Sequence, residues 1–208
     1  MSAADTRYAP SSDADVTQLV LEHPLAWVVS MTSDECRGTP LPLRPEPAGD
    51  NQPIQSLLGH FARSNPQVEL LKSSPRALVL FMGVNGYVSP SRIRDRTQAP
   101  TWNYAAVQYV VDIEFIGEHV SRDAVVADLV KAMELGRPKA WSAAEMGARY
   151  RRLADGIVAF RATIVERRAK FKLGQDERDD VYAGIIAAIA DPDLVDWMCR
   201  ANPARHVG

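Results

Sequence analysis

A histidine at position 60 is the residue most clearly placed for chemistry. His60 follows Leu57, Leu58 and Gly59 and precedes a predicted helix. A strand-to-helix junction presents side chains to a cavity, and Gly59 permits the close approach of a flat ligand. An imidazole that titrates near neutral pH serves as a cofactor ligand or as a proton carrier. The alternative is a hydrogen-bonded histidine in the core, and the sequence leaves both interpretations open.

A cationic loop, SRIRDRTQ, occupies residues 91–98. It places Arg92, Arg94 and Arg96 at alternate positions. Guanidinium groups that point the same way suit a phosphate, a propionate or a carboxylate. A solvated loop is the alternative interpretation of this pattern.

Aromatic side chains follow the loop in the segment PTWNY, at residues 100–104. In a strand, Trp102 and Tyr104 share one face and Asn103 takes the other. Such spacing lines a cofactor pocket in some proteins and a core in more of them. The segment therefore supplies candidate pocket walls without deciding between these roles.

A second cationic segment, RRAKFKLGQDER, lies at residues 167–178. Lys170 and Lys172 share a face of the predicted strand, and Gln175 follows near its end. A solvated face is again the alternative. No Ser-His-Asp arrangement and no HExxH segment can be placed anywhere in the chain.

Periodicity and turn residues predict the elements that carry these groups. We expect helices over 13–22, in ARSNPQVELLKSS, over 121–135 and 142–155, and through 176–200. We expect strands in LAWVVSMT, IQSLLGHF, TWNYAAVQYVVDIEFIG and GIVAFRATIVERRAKFKLG, and a hairpin loop at 44–53. The segment RALVLFMGVNGYVSP predicts two strands joined by a turn at Gly83 to Gly86.

This order of elements predicts an α+β fold. Strands dominate the first half, helices follow, and a strand returns late, which favours an antiparallel barrel or sheet flanked by helices over a βαβ fold. We expect one domain over 1–208, with a helical part at about 121–155 and 176–200. The chain has no G-x-G-x-x-G or Walker motif, which argues against a Rossmann or P-loop nucleotide site.

Composition narrows the class of protein. Of 208 residues, 46% are hydrophobic and 24% are charged, and the formal net charge is −2. A near-neutral chain offers no overall basic field, so nucleic acid is an unfavoured partner. Cys36 and Cys199 are far apart and suit free thiols in a reducing compartment. The polar, acidic N-terminus and short apolar runs predict a cytoplasmic protein without a membrane span.

Short segments taken in order resemble the PaiB-like family, known as FMN-binding negative transcriptional regulators of the split-barrel superfamily. They are YAPS, HPLAWVVS, LLGHFARSNP, GYVSPS, PTWNY, GIVAF and KFKLGQ, and they cover about residues 8–190. The resemblance implies a six-stranded antiparallel split β-barrel, a homodimer and a cofactor pocket at the subunit interface. A helix-turn-helix with a basic recognition helix is not evident in the sequence.

Two segments depart from the family pattern. Arg92 and Ile93 follow SPS where an aromatic pair is usual, the loop after them is shorter, and Gly174 stands where the family has serine. With its compact arginine loop, the chain is most similar to the haem-dependent piperazate synthases within this family. These enzymes cyclise N5-hydroxyornithine to piperazic acid by forming an N–N bond with loss of water.

The resemblance to that branch implies haem b as cofactor and His60 as the axial iron ligand. The loop arginines would pair with haem propionates or the substrate carboxylate. A general acid and a general base are also needed. The candidates for them are Tyr87, Lys170 and Lys172.

The first alternative is an FMN-binding oxidoreductase or sensor, in which Arg63 and the loop hold the phosphate and His60 lies near the isoalloxazine. The second alternative is a non-catalytic regulator. Beyond the acid–base candidates, the predicted cofactor site comprises His60, Arg63, Arg92, Arg94, Arg96, Trp102, Asn103, Tyr104 and Gln175.

Overall fold

The computed structural model describes residues 6–46, 52–117 and 119–205, with the backbone alone at 119–121. The centre of the predicted 44–53 loop, at 47–51, lies outside these residues. The helices are α1 Asp13–Glu22, α2 Gln67–Ser73, α3 His119–Glu134, α4 Ala148–Ala154, α5 Asp179–Ala188 and α6 Pro192–Ala201. The strands are β1 Leu25–Met31, β2 Cys36–Pro42, β3 Arg44–Pro45, β4 Ser56–Ala62, β5 Arg76–Val88, β6 Thr101–Ile116 and β7 Ile157–Lys172.

The strands form one antiparallel sheet in the order β2-β1-β5-β6-β7-β4-β3. In the register, Val28 of β1 lies opposite Val79 of β5, and Gly59 of β4 lies opposite Phe160 of β7. Helices flank the sheet, so the predicted α+β class is confirmed.

The chain divides into two compact units. The first comprises the described parts of Met1–Glu22, Met82–Val107 and Arg168–Gly208, and the second those of His23–Phe81 and Gln108–Arg167. The long strands β5, β6 and β7 contribute residues to both units. Each unit is described by itself below.

The predicted turn at Gly83 to Gly86 is wrong, because β5 runs unbroken through both glycines. A Cβ atom on Gly83 would lie 2.8 Å from Leu19 Cδ1 and 3.2 Å from the carbonyl oxygen of Ala105. A Cβ atom on Gly86 would lie 2.5 Å from Leu194 Cδ2. These glycines therefore allow α1 and α6 to pack closely on an extended strand, and they do not turn the chain.

Two further boundaries differ from the sequence prediction. The sequence patterns predict no strand at β2. Pro40 and Pro42 are unfavourable inside a sheet, and the place of β2 at the sheet edge accommodates them. The helical segment predicted through 176–200 is two helices. Asp191 caps α6 by accepting hydrogen bonds from the backbone N–H groups of Asp193 and Leu194, and Pro192 begins the new helix.

Strand β4, which carries His60, is fixed by the core of the second unit. Leu57, Gly59 and Phe61 alternate on its buried face, and the Phe61 and Phe160 ring centroids are 5.0 Å apart. A Cβ atom on Gly59 would lie 2.9 Å from the Phe160 ring. The opposite face of β4 is consequently the one that presents His60.

Two kinds of feature are absent from the described residues. No helix in the described ranges is both long enough and apolar enough to span a bilayer. No group of three or more His, Cys, Asp or Glu side chains within those ranges is arranged to bind a metal ion.

The packing at Gly83 predicts a stability loss for Gly83→Ala. The new methyl group must displace the buried Leu19 side chain or the β6 backbone, which costs about 1–3 kcal/mol in the free energy of unfolding. Gly117→Ala is the matched control, because a Cβ atom there meets nothing within 4 Å. Urea denaturation measures both variants, and equal midpoints would contradict this account of β5.

Candidate functional site

The predicted site residues divide between the two units. His60 and Arg63 belong to the second unit, and all the others belong to the first. The first unit brings several of its candidates together around the ends of β5 and β6.

An exposed aromatic pair is the main feature of the first unit. The ring centroids of Tyr87 on β5 and Trp102 on β6 are 5.9 Å apart, with the ring planes inclined by 44°. Their exposed fractions are 56% and 51%. Trp102 Nε1 donates a hydrogen bond of 3.4 Å to Asn85 Oδ1, which fixes the indole. Two large rings held next to each other in solvent form an exposed apolar surface of the kind that contacts a planar ligand.

Lys172 sets a positive charge beside this surface. Its ammonium group donates hydrogen bonds to Thr101 Oγ1 and, at 3.4 Å, to the carbonyl oxygen of Trp102. Lys170 has a different partner, because its Nζ lies 5.3 Å from the centroid of the Tyr8 ring. The two lysines that the sequence places on one face therefore perform different tasks, and Lys172 is the one associated with the aromatic pair.

The arginine loop begins with a 3-10 helix, Pro90–Arg92, and continues to the start of β6. Arg92, Arg94 and Arg96 are all exposed. Arg96 Nη1 lies 3.5 Å from the carbonyl oxygen of Ser91. None of the three guanidinium groups is paired with a carboxylate among the residues that the structure describes. Their charges are therefore available to an anionic group.

Asp95 stabilises the loop, a role that the sequence prediction missed. Its carboxylate accepts hydrogen bonds from Thr97, from Gln98 and, at 3.0 Å, from Arg178. These hydrogen bonds hold the pKa of Asp95 well below its usual range, and the one from the Thr97 hydroxyl contributes most. Within the segment RIRDR, Asp95 is thus a structural carboxylate, whereas the arginines on either side of it are exposed cations.

Three other predicted site residues are wholly or partly buried or form hydrogen bonds within the protein. Asn103 is buried, and its Nδ2 lies 3.5 Å from Met198 Sδ. The Gln175 side chain accepts a hydrogen bond from the backbone N–H of Leu173 and donates one to the carbonyl of Phe171. Tyr104 is half-buried. In this structure both amide side chains contact the protein itself.

In the second unit, His60 lies beneath a helix. It faces the same side of the sheet as Leu58, and Leu58 is opposite Arg44 in the register. Arg44 Nε reaches Asp128 Oδ2 of α3 at 3.4 Å. Because α3 packs against β4, this helix lies on the face that carries His60.

Burial changes the acid–base behaviour of His60. Its Nδ1 is buried and has no hydrogen-bond partner among the described residues. Desolvation lowers the pKa of His60, so the imidazole is neutral at pH 7. A neutral ring has a lone pair available for a metal ion or a proton.

Arg63 and the NP pair of LLGHFARSNP have structural roles. Arg63 donates hydrogen bonds to the carbonyl oxygens of Asp155 and Ile157, at 3.1 and 3.0 Å. Asn65 Oδ1 accepts from the backbone N–H of Gln67, at 2.9 Å. The buried Gln67 amide in turn donates to the carbonyl of Val28. The motif therefore fastens α2 and the start of β7 around the strand that carries His60.

Comparison with known proteins identifies the family to which this chain belongs. Residues 4–166 match the model of a family described as "Putative FMN-binding domain". The chain is 26% identical over 184 residues to the Bacillus subtilis protease synthase and sporulation protein PAI 2, covering 86% of this chain and 84% of that protein.

Solved structures show the same fold at low sequence identity. The FAD- and haem-binding protein of Mycobacterium smegmatis has a TM-score of 0.60 at 18% identity, over 79% of this chain and 73% of its own. The flavocytochrome Anf3 of Azotobacter vinelandii has a TM-score of 0.55 at 17% identity, over 77% and 67%. The family match spans well over half of the sequence, and this chain therefore belongs to the PaiB-like family of FMN-binding domains.

Proposed function

We propose that this protein binds FMN and acts as a flavoprotein of the oxidoreductase type. The observation that carries the proposal is the exposed Tyr87–Trp102 pair with the anchored ammonium group of Lys172 beside it. An isoalloxazine ring is flat and apolar on its faces, and a flavin phosphate is anionic. The first unit offers an apolar surface for the ring and positive charges for the phosphate.

The exposed side chains of the first unit fit this cofactor. Tyr87 and Trp102 would contact the ring system, and the guanidinium groups of Arg94 and Arg96 would bind the phosphate. Bound FMN would supply reversible hydride or electron transfer. Lys172 would keep a proton donor at a fixed place next to Trp102, since its ammonium group is held by a carbonyl and a hydroxyl.

The aromatic pair predicts the effect of Trp102→Ala on flavin binding. Loss of the indole removes a stacking surface worth about 1.4 kcal/mol, so the Kd for FMN rises about tenfold. Quenching of flavin fluorescence measures the Kd. Trp141→Ala is the matched control, because that partly exposed tryptophan lies in the second unit, and it leaves the Kd unchanged.

The arginines are tested separately with riboflavin, which lacks the phosphate. The double variant Arg94→Gln/Arg96→Gln weakens FMN binding and leaves riboflavin binding unchanged. Equal binding of FMN by the wild type and by both the tryptophan and the arginine variants would overturn the proposed site.

A second candidate function, the haem-dependent piperazate synthase, is supported by His60. A neutral imidazole is the form that ligates haem iron, and Nδ1 of His60 lacks a partner among the described residues. Haem b would supply a Lewis-acidic iron that weakens the N–O bond of N5-hydroxyornithine. The products, piperazic acid and one water, balance without an external oxidant or reductant.

The three residues predicted as general acid or base for that reaction, Tyr87, Lys170 and Lys172, belong to the first unit. Among them, Lys172 has an ammonium group that two acceptors orient. Tyr87 is the other exposed acid at the same surface. Lys170 is a weaker candidate, because its charge is directed at the Tyr8 ring.

The haem hypothesis predicts that His60→Ala abolishes haem uptake. Haemin titration of the wild type then gives a sharp Soret band, and the variant does not. His23→Ala is the matched control and retains the band. Mass spectrometry after addition of N5-hydroxyornithine tests the cyclisation. A wild-type protein that takes up FMN and no haem would eliminate this candidate.

We also propose that the protein is a homodimer that pairs through the outer face of β1. Leu25 and Met31 on this face are 62% and 71% exposed, and Trp27 lies between them. A symmetric dimer buries the same patch on both subunits, which suits one apolar stripe on one strand.

The stripe predicts that Leu25→Glu/Met31→Glu makes the protein monomeric, because each subunit would bring two charges into an apolar interface. Sedimentation velocity measures the change. Met133→Glu/Leu135→Glu alters a matched exposed pair on and just after α3 and leaves the dimer intact. A wild-type monomer, or a dimer in both variants, would refute the interface.

A further inference from the structure

A cavity of about 220 Å³ opens in the first unit next to the aromatic pair, and Tyr87 is one of the residues that line it. The end of β5, the 3-10 helix Pro90–Arg92, and helices α5 and α6 surround it. More than half of its lining residues are aliphatic, namely Val88, Ile93, Ile185, Ala188, Ile189, Ala190 and Leu194. A small apolar body fits such a wall.

Gly86 sets one side of the cavity. The nearest atom to a Cβ on this residue would be Leu194 Cδ2, at 2.5 Å, and Leu194 is itself 2% exposed. Any larger residue at position 86 would therefore push Leu194 out of place. The packing that keeps β5 straight thus also determines the shape of this wall.

Two charged residues line the cavity, and they differ in whether a described group pairs with them. Asp191 is engaged, because its Oδ1 accepts from the backbone N–H groups of Asp193 and Leu194 at 3.0 and 3.4 Å. The Arg92 guanidinium is exposed, and no described carboxylate pairs with it. The cation that remains available at the cavity thus favours an anionic ligand.

The volume limits the size of that ligand. An apolar cavity of roughly 150 Å³ holds benzene, and pockets for drug-sized ligands begin at roughly 300 Å³. A cavity between these values suits a compound of about ten non-hydrogen atoms. Phenylacetate has this size, an apolar ring and one carboxylate.

We propose that this cavity is a binding site for small carboxylic acids with an aromatic or branched apolar body, whose carboxylate pairs with Arg92. The site adjoins the aromatic pair proposed for FMN, because Tyr87 also lines the cavity, whereas Trp102 does not. Binding there needs neither flavin nor haem. It gives the protein a second ligand, which serves as a substrate or as an effector.

Isothermal titration of the whole protein with phenylacetate tests the site, with phenylacetamide as the uncharged isostere. We expect a Kd for phenylacetate on the order of 0.1–1 mM and binding of the amide at least fivefold weaker. Arg92→Gln weakens phenylacetate about tenfold and changes phenylacetamide less than twofold. Arg149→Gln, an exposed arginine in the second unit, changes neither.

A filling variant tests the cavity itself. Ala188→Phe places a ring in the space and abolishes binding of both compounds. Ala187→Phe, on the neighbouring exposed residue of α5 outside the cavity wall, retains binding. Circular dichroism of each variant establishes that the fold is intact.

The outcomes separate this proposal from that of the flavin site. Trp102→Ala weakens FMN binding and leaves phenylacetate binding unchanged, because Trp102 does not line the cavity, whereas Ala188→Phe abolishes phenylacetate binding. The proposal is overturned if wild-type protein shows no saturable binding of phenylacetate, if the amide binds as well as the acid, or if Ala188→Phe binds normally.

Discussion

Close packing against the backbone of β5 is the constraint on which the first unit depends. Leu19 of α1 and Leu194 of α6 occupy the space where Gly83 and Gly86 have no side chains. Because both helices approach the backbone itself, the strand continues as far as Val88. Its last residues then place Tyr87 next to Trp102 and, with Tyr87 among them, line the cavity beside Arg92.

In the second unit, a comparable close approach occurs at Gly59. The ring of Phe160 and the side chain of Leu43 fill the space next to this glycine, which fixes the face that β4 turns to the core. His60 is consequently directed to the other face, beneath α3. Burial of the imidazole lowers its pKa by desolvation, so its neutral form is favoured more strongly than that of an exposed histidine.

The residues of the family motifs have two kinds of role. Arg63, Asn65 and Gln175 use their polar groups on the protein backbone, which makes them part of the architecture around the site. Trp102 and Arg94 present their side chains to solvent. Polar residue type alone does not distinguish these groups, because an amide or a guanidinium group satisfies a backbone carbonyl as well as it binds a ligand.

The sequence by itself determined the elements with strong periodicity and clear ends. The helix over 13–22 and the long strand that begins at Thr101 follow from patterns that are local to the chain, and the structure confirms both. The ordered motifs also identified the family. The PaiB-like FMN-binding assignment is confirmed, and the haem branch stays a prediction.

Tertiary structure alone decided the rest. Gly83 and Gly86 have the composition of a turn, and only the helices packed on them explain an extended strand. The pairing of Tyr87 with Trp102, the anchoring of Lys172 and the engagement of Asp95 by Arg178 join residues distant in sequence. Local patterns record backbone preference and burial, whereas the partner of a polar side chain depends on which segments the fold brings next to it.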